Sequence, residues 1–381
     1  MFRFEINHIH GRARLGTLHT AHGIVRTPVF MPCGTAGTVK GVTPEQLHAC
    51  GVQMLLGNTY HLLLRPGPEA VAALGGLHRL MAWDGPILTD SGGYQVFSLA
   101  HRRKLSAGGV VFHSHIDGSM IELTPESCMA AQAALGSDVA MQLDECPPAG
   151  AERAAVLAAV QRSADWAARC KLAWQGLLGR PTGQPGGAIN PHQVLFGIQQ
   201  GGIHLDLRRQ SAERIVELDL PGYAVGGLSV GEERPAMQAV LDEIDGLLPR
   251  HKPRYLMGVG EPIDLVAGVL RGVDMFDCVL PTRNGRNAEA FTWSGRLRLR
   301  NACHARDPRP LDEACPCYAC RHFSRGALRH YFMAGEMLGP TLATMHNLTF
   351  FAQFMAAIRA AIAAGELEAR SAEWLARMYA E

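Results

Sequence analysis

Val194-Leu-Phe-Gly-Ile-Gln-Gln200 is an apolar run that stops on two amides, and a stretch of helical composition, Leu205–Leu218, follows it. A strand so short and so evenly apolar has no solvent face, as expected in a parallel sheet covered on both sides. The same unit recurs outward from it. Upstream lie Val29–Pro32, Val52–Gly57, Pro86–Asp90 and Asp138–Asp144; downstream lie Tyr223–Gly227, Arg254–Gly258 and Val273–Asp277. Helical segments such as Thr43–Cys50, Ala151–Leu178 and Pro235–Leu248 separate them, the first with Thr43 as N-cap and Pro44 as first helical residue. Eight strands alternating with helices predict an α/β fold, a (β/α)8 TIM barrel; an open doubly wound sheet is the competing arrangement. Ahead of them, alternation at Phe2, Phe4 and Ile6, a turn at Gly11, then Leu15 and Leu18 predict N-terminal antiparallel hairpin strands. The Pro- and Gly-rich connection Arg180–His192 predicts a surface loop.

The 381 residues are 47% hydrophobic, enough for a large core. Thirty-six basic residues face 35 acidic ones for a net charge of +1, so any nucleic-acid site has to be local. The first ten residues have no signal-like apolar stretch, and no uninterrupted apolar run reaches membrane-spanning length. A soluble, cytoplasmic protein is the expectation. Seven of the ten cysteines are scattered singly, as buried cytosolic thiols are; the other three sit together.

That cluster is Cys315-Pro-Cys317-Tyr-Ala-Cys320, with His346 further along. Three thiolates and an imidazole make a closed tetrahedral set with no position left for a catalytic water, which predicts one structural zinc ion. His304, His322 and His330 compete for the fourth place. His346 is preferred because it would stand at the start of a helical segment, Asn347–Ala364.

In a barrel the chemistry gathers where strands end. Here the runs end on Asn58, Asp90, Asp144, Gln200, Gly227, Gly258 and Asp277, with Cys33 after the first. Any one aspartate there could cap a helix. Three aspartates and two amides together are hard to explain by packing. Asp90 lies in Thr-Asp-Ser-Gly-Gly-Tyr-Gln, where paired glycines admit a substrate to the backbone and Tyr94 offers a stacking face. Asp277 has apolar neighbours that would desolvate it. Two opposed carboxylates suit displacement at an anomeric carbon, one attacking and one shuttling a proton. Between Pro281 and Pro310 seven arginines face only Glu289 and Asp307, which suits a phosphate-gripping surface.

An ordered series of segments carries a resemblance that spans the chain. It runs GNTYHL (Gly57–Leu62), TDSGGYQVFSL (Thr89–Leu99), SHIDGS (Ser114–Ser119), LDECP (Leu143–Pro147) and FGIQQGG (Phe196–Gly202). It continues with GLSVGE (Gly227–Glu232), YLMGVG (Tyr255–Gly260), FDCVLPTRNGRN (Phe276–Asn287) and the CPCYAC…His set. The chain resembles the bacterial tRNA-guanine transglycosylases (queuine tRNA-ribosyltransferases). The resemblance implies a single catalytic barrel domain over residues 1–381, a zinc-binding lobe at about 281–350 and a closing C-terminal helical segment. It implies exchange of guanine at the tRNA wobble position for a 7-deazaguanine base, with Asp277 as nucleophile and Asp90 as general acid/base. The base would be held by Asp144, Gln200 and the backbone of Gly227 and Leu228, between Tyr94 and Met257, after flipping out of the anticodon stack. Arg283 and Arg286 would hold neighbouring nucleotides. A homodimer that uses the zinc lobe is implied too.

Gln199, Ser229 and Ala288 depart from the commonest family wording, and none is a proposed catalytic or zinc position. Val230 with Cys146 matches the bacterial type that takes 7-aminomethyl-7-deazaguanine, whereas Ser229 is shared with the eukaryotic type that takes queuine. Four alternatives remain: the archaeal relative, whose extra C-terminal domains have no room before Glu381; a non-catalytic subunit, which would not keep both Asp90 and Asp277; an RNA-binding zinc protein without chemistry; and a retaining glycosidase, for which the arginines would be idle.

Overall fold

A computed structural model describes residues 2–99, 103–180 and 187–380. Three antiparallel strands open the chain, β1 (Arg3–His10), β2 (Ala13–Thr20) and β3 (Gly23–Thr27), with the expected turn at Gly11. The barrel strands are β4 (Val29–Pro32), β5 (Leu55–Gly57) and β6 (Ile87–Thr89), then, after an excursion, β10 (Val139–Met141), β11 (Val194–Gln199), β12 (Gly222–Val225), β13 (Arg254–Leu256) and β14 (Met275–Cys278). They pair in parallel in the order β4-β14-β13-β12-β11-β10-β6-β5. A single parallel bridge, Cys33 to Leu56, brings the two ends of that row together and nearly closes the ring. The expected (β/α)8 barrel is the fold, and the open sheet is excluded.

Most of the runs read from sequence extend past the last ladder residue, at Asp90, Asp144, Gln200, Gly227 and Gly258. The reason is physical. Asp90, Asp144 and Gln200 are buried like strand residues, Gly227 is half-buried and Gly258 exposed, but all five backbones have left the ladder and turn into the mouth of the barrel. Two elements were not legible. A small antiparallel sheet, β7 (Arg103–Leu105), β8 (Val110–His113) and β9 (Met120–Leu123), is inserted after β6, and a hairpin, β15 (Glu289–Thr292) and β16 (Gly295–Arg298), follows β14. Of the loop expected between 180 and 192, residues 181–186 lie outside those described; beyond them Asn190 is buried and donates to the Ser137 carbonyl (3.2 Å).

The barrel interior is filled by Met31, Leu56, Leu88, Met141, Phe196, Ile198, Ala224 and Met275, and the N-terminal hairpins supply Leu18 and Val25 to the same cluster. Phe2 meets Phe196 edge-on at 5.8 Å. The hairpins therefore plug the floor of the barrel. Arg14, buried in β2, locks them there: it pairs with Asp274 below β14 and donates to the carbonyls of Arg250 (2.6 Å) and Lys252 (3.1 Å). Blocking the floor leaves the opposite mouth as the open end.

The helix Leu338–Ala364 is long and apolar enough, by length and composition, to cross a membrane. Its packing explains that composition. Leu348, Phe350, Phe351, Phe354 and Ile358 are buried against the barrel and its C-terminal elements. It starts at Leu338 rather than Asn347, so His346 lies in its interior and not at its first turn.

Candidate active site

The mouth of the barrel holds a cleft of about 590 Å³ lined by Asn58, Asp90, Tyr94, Asp144, Gly227, Leu228, Met257, Asp277 and Arg283, among others. Asp90 follows β6, and its carboxylate is held by three donors: Asn58 Nδ2 (2.6 Å) and Gln95 Nε2 (2.8 Å) on Oδ2, and the Thr59 amide (2.8 Å) on Oδ1. Burial pushes it up to about 6, Asp277 adding to the rise and the three hydrogen bonds holding it back. Asp277, in β14, is gripped differently. Both Tyr255 Oη (2.6 Å) and the Gly258 amide (2.7 Å) donate to Oδ1, whereas Oδ2 meets only the Cys33 thiol at 3.7 Å. Its pKa is raised by burial, against these same donors. One carboxylate oxygen is thus anchored while the other keeps its lone pairs for the cleft.

Asp144 follows β10 and accepts from Ser91 Oγ (3.1 Å) and Gln200 Nε2 (2.6 Å); burial lifts it to about 6 as well, with Asp90 contributing. The Gln200 side chain lies over the paired glycines 226 and 227, and a Cβ on Gly227 would come within 2.4 Å of its Oε1. Gly227 also has φ +64°, a left-handed conformation that favours glycine there. Tyr94 is half exposed and Met257 half buried, both on the cleft wall. All of Asp90, Tyr94, Asp144, Gln200, Gly227, Leu228, Met257 and Asp277 therefore gather at one mouth.

Away from the mouth, the Sγ atoms of Cys315, Cys317 and Cys320 and a ring nitrogen of His346 all lie within 4.8 Å of one another. His346 Nδ1 faces Cys320 Sγ (3.2 Å) and Cys317 Sγ (3.7 Å), while its Nε2 lies 2.7 Å from the Phe291 carbonyl. That carbonyl accepts the Nε2 proton and leaves Nδ1 free as a ligand. The donor set fits a tetrahedral metal ion. His304, by contrast, sits against Asp307 (3.8 Å).

The family model described as queuine tRNA-ribosyltransferase matches residues 10–380. The chain belongs to that family. Relatives named queuine tRNA-ribosyltransferase include one from Pelotomaculum thermopropionicum, 56% identical over 93% of this chain and 92% of its own length. Another, from Novosphingobium aromaticivorans, is 52% identical over 98% of this chain and 97% of its own. One from Cereibacter sphaeroides is 53% identical over 96% and 94%.

Several residues that build this cleft were invisible in the sequence. Tyr255 lies within an apolar strand and was given no role; the β13–β14 register brings it to Asp277. Asn58 was marked only as a strand end and Gln95 only as part of the stretch around Asp90, neither with a task, yet both hold Asp90. Arg208 is fully buried behind the base of the cleft, whereas its neighbours Arg209 and Arg214 pair with acids at the surface. Nothing in a run of similar arginines marks which one is buried.

The arginine cluster divides. Arg296 pairs with Glu261 and Glu289, and Arg309 with Asp307, so two of the seven are committed within the fold. Arg283 is exposed at the cleft edge, and the buried Nη1 of Arg286 has no hydrogen-bond partner among the described residues. A second group, His22, His78 and Asp138, has its ligand atoms within 4.8 Å of one another beneath the barrel. Its imidazoles are stacked with centroids 3.6 Å apart and planes 18° from parallel. In-plane lone pairs on parallel rings do not converge on one ion, so this group reads as a carboxylate shared by two histidines.

Proposed function

We propose that this enzyme exchanges guanine at the wobble position of tRNA for a 7-deazaguanine base, 7-aminomethyl-7-deazaguanine, through a covalent ribosyl-enzyme, within queuosine synthesis. The observation that carries the reading is the unequal hold on two buried carboxyls in one cleft. Asp277 keeps one oxygen free and is the nucleophile: Oδ2 bonds to ribose C1′ as the bond from C1′ to guanine breaks. Asp90, with its pKa near 6, is protonated often enough at neutral pH to give its proton to the departing base. It then takes the ring proton of the incoming base, whose nitrogen displaces Asp277 from C1′. Two displacements retain configuration and leave the strand whole.

Asp144 faces the ring N–H and exocyclic amine of the base, Gln200 and the Gly227–Leu228 backbone meet its carbonyl side, and Tyr94 and Met257 cover its two faces. Cys146 and Val230 bound the pocket where the 7-substituent lies. Arg283 and Arg286 hold phosphates of the anticodon loop. Cys315, Cys317, Cys320 and His346 hold zinc, which supplies folding energy to the lobe at about 281–350 and takes no part in the exchange. The working unit is a cytoplasmic homodimer of single-domain subunits.

The test uses tRNA and radiolabelled guanine. The wild type incorporates label, and at limiting base it leaves a tRNA adduct that survives denaturant. Asp277→Asn lowers incorporation by roughly 10³-fold or more and forms no adduct. Folded wild type that incorporates nothing would sink the exchange reading; an undiminished variant would remove only the nucleophile.

A further inference from the structure

The guanidinium of Arg208 is fully buried and has no carboxylate in hydrogen-bond or ion-pair contact among the described residues. It spends its donors on four backbone carbonyls: Gly202 (2.7 Å, from Nε), Gln199 (3.1 Å) and Gly226 (2.7 Å, both from Nη1) and Gly227 (3.3 Å, from Nη2). A buried cation whose direct partners are all neutral carbonyls is costly, and here burial lowers its pKa to about 10, with Cys146 and Glu232 acting against that fall from a distance. Surface anchoring does not require such an arrangement. The position of the last two carbonyls supplies a reason for it.

In a trans peptide the C=O and the following N–H point in opposite directions. Arg208 holds the carbonyls of Gly226 and Gly227 on its own side. The N–H groups of Gly227 and Leu228 are thereby turned to the far side, and both residues line the cleft. Neither amide donates to a backbone carbonyl among the described residues. The Gly227 amide stands by the Cys146 thiol, whose pKa it lowers against the larger effect of burial. The positive left-handed φ of Gly227 (+64°) is what lets two successive carbonyls share one guanidinium. Charge-assisted bonds to the carbonyls also polarise these peptides and sharpen their N–H groups as donors.

We infer that Arg208 is a positioning residue for base recognition: it turns and polarises the Gly227 and Leu228 amides so that they donate to the exocyclic carbonyl oxygen of the purine. The inference rests on the base-exchange reading above. It places the selection for a 6-oxo purine partly in a residue that never touches the base.

The test is a cycle between residue and ligand atom. Binding of guanine, hypoxanthine and 2-aminopurine is measured by calorimetry on wild type, Arg208→Met and Arg208→Lys, with thermal melts as a check on folding. Guanine and hypoxanthine carry the oxygen; 2-aminopurine lacks it. Arg208→Met weakens the two oxo purines by about tenfold and leaves 2-aminopurine within twofold. Arg208→Lys, which keeps the charge and cannot span two carbonyls, falls between them and carries the test should the Met variant not fold. An equal loss for all three ligands means that Arg208 only supports the fold, and the inference fails while the exchange reading stands. A wild type that binds the three purines alike would show that no donors act on the oxygen and would overturn the inference, while the exchange reading is decided separately by label incorporation into tRNA.

Discussion

At the scale of single residues, the site is a set of carboxylates kept from water and therefore reluctant to ionise. Asp144 rises from an ordinary 3.8 to about 6 through burial. A folded-state pKa above the unfolded value means that the unfolded chain gives up its proton first, so stability falls as pH rises from about 4 to about 6. A shift of about two units corresponds to about 3 kcal/mol once both states are ionised. Urea denaturation of Asp144→Asn is expected to lose much of that decline between pH 4.5 and 7, while guanine affinity drops by about tenfold or more because an amide cannot accept two base donors. The aspartates were legible in the sequence because a charged residue ending an apolar run is conspicuous. Their holders were not. Tyr255 looks like any strand residue, and its bond to Asp277 depends on the register between neighbouring strands, which no local pattern encodes.

At the scale of elements, the helix Leu338–Ala364 joins the metal set to the barrel. The sequence showed its apolar half, Asn347–Ala364, while the helix itself starts at Leu338 and runs through Gly339, Pro340 and Thr341, residues of poor helix propensity. The consequence is mechanical: the candidate ligand His346 stands inside a long helix that also packs against the barrel. Withdrawing the metal with a chelator is expected to release about one zinc per chain by mass spectrometry and to lower the melting temperature by several degrees or more. It should also weaken tRNA binding more than guanine binding, since the base cleft is built by other elements. His346→Ala is expected to reproduce both effects without a chelator. The small sheet β7–β9 escaped notice because strands of three or four residues leave too few positions for alternation to register.

At the scale of the whole molecule, the barrel was readable because eight repeats of one pattern reinforce each other, whereas the plug that seals its floor depends on a pairing between distant residues. Arg14 and Asp274 are both buried, and Asp274 also accepts from the Arg254 amide. Arg14→Met leaves an unpaired buried carboxylate and is expected to cost about 3–5 kcal/mol in urea denaturation, with Arg14→Met/Asp274→Asn recovering part of the loss. The order of strands has one more effect, which concerns synthesis. β4 contributes residues 29–32 and its ladder partner is β14, the last barrel strand to be made. A chain still emerging from the ribosome has the early strands but not the one that carries Asp277. On the base-exchange reading the unfinished protein thus lacks the carboxylate proposed to attack, and that carboxylate arrives with the strand that completes the ring.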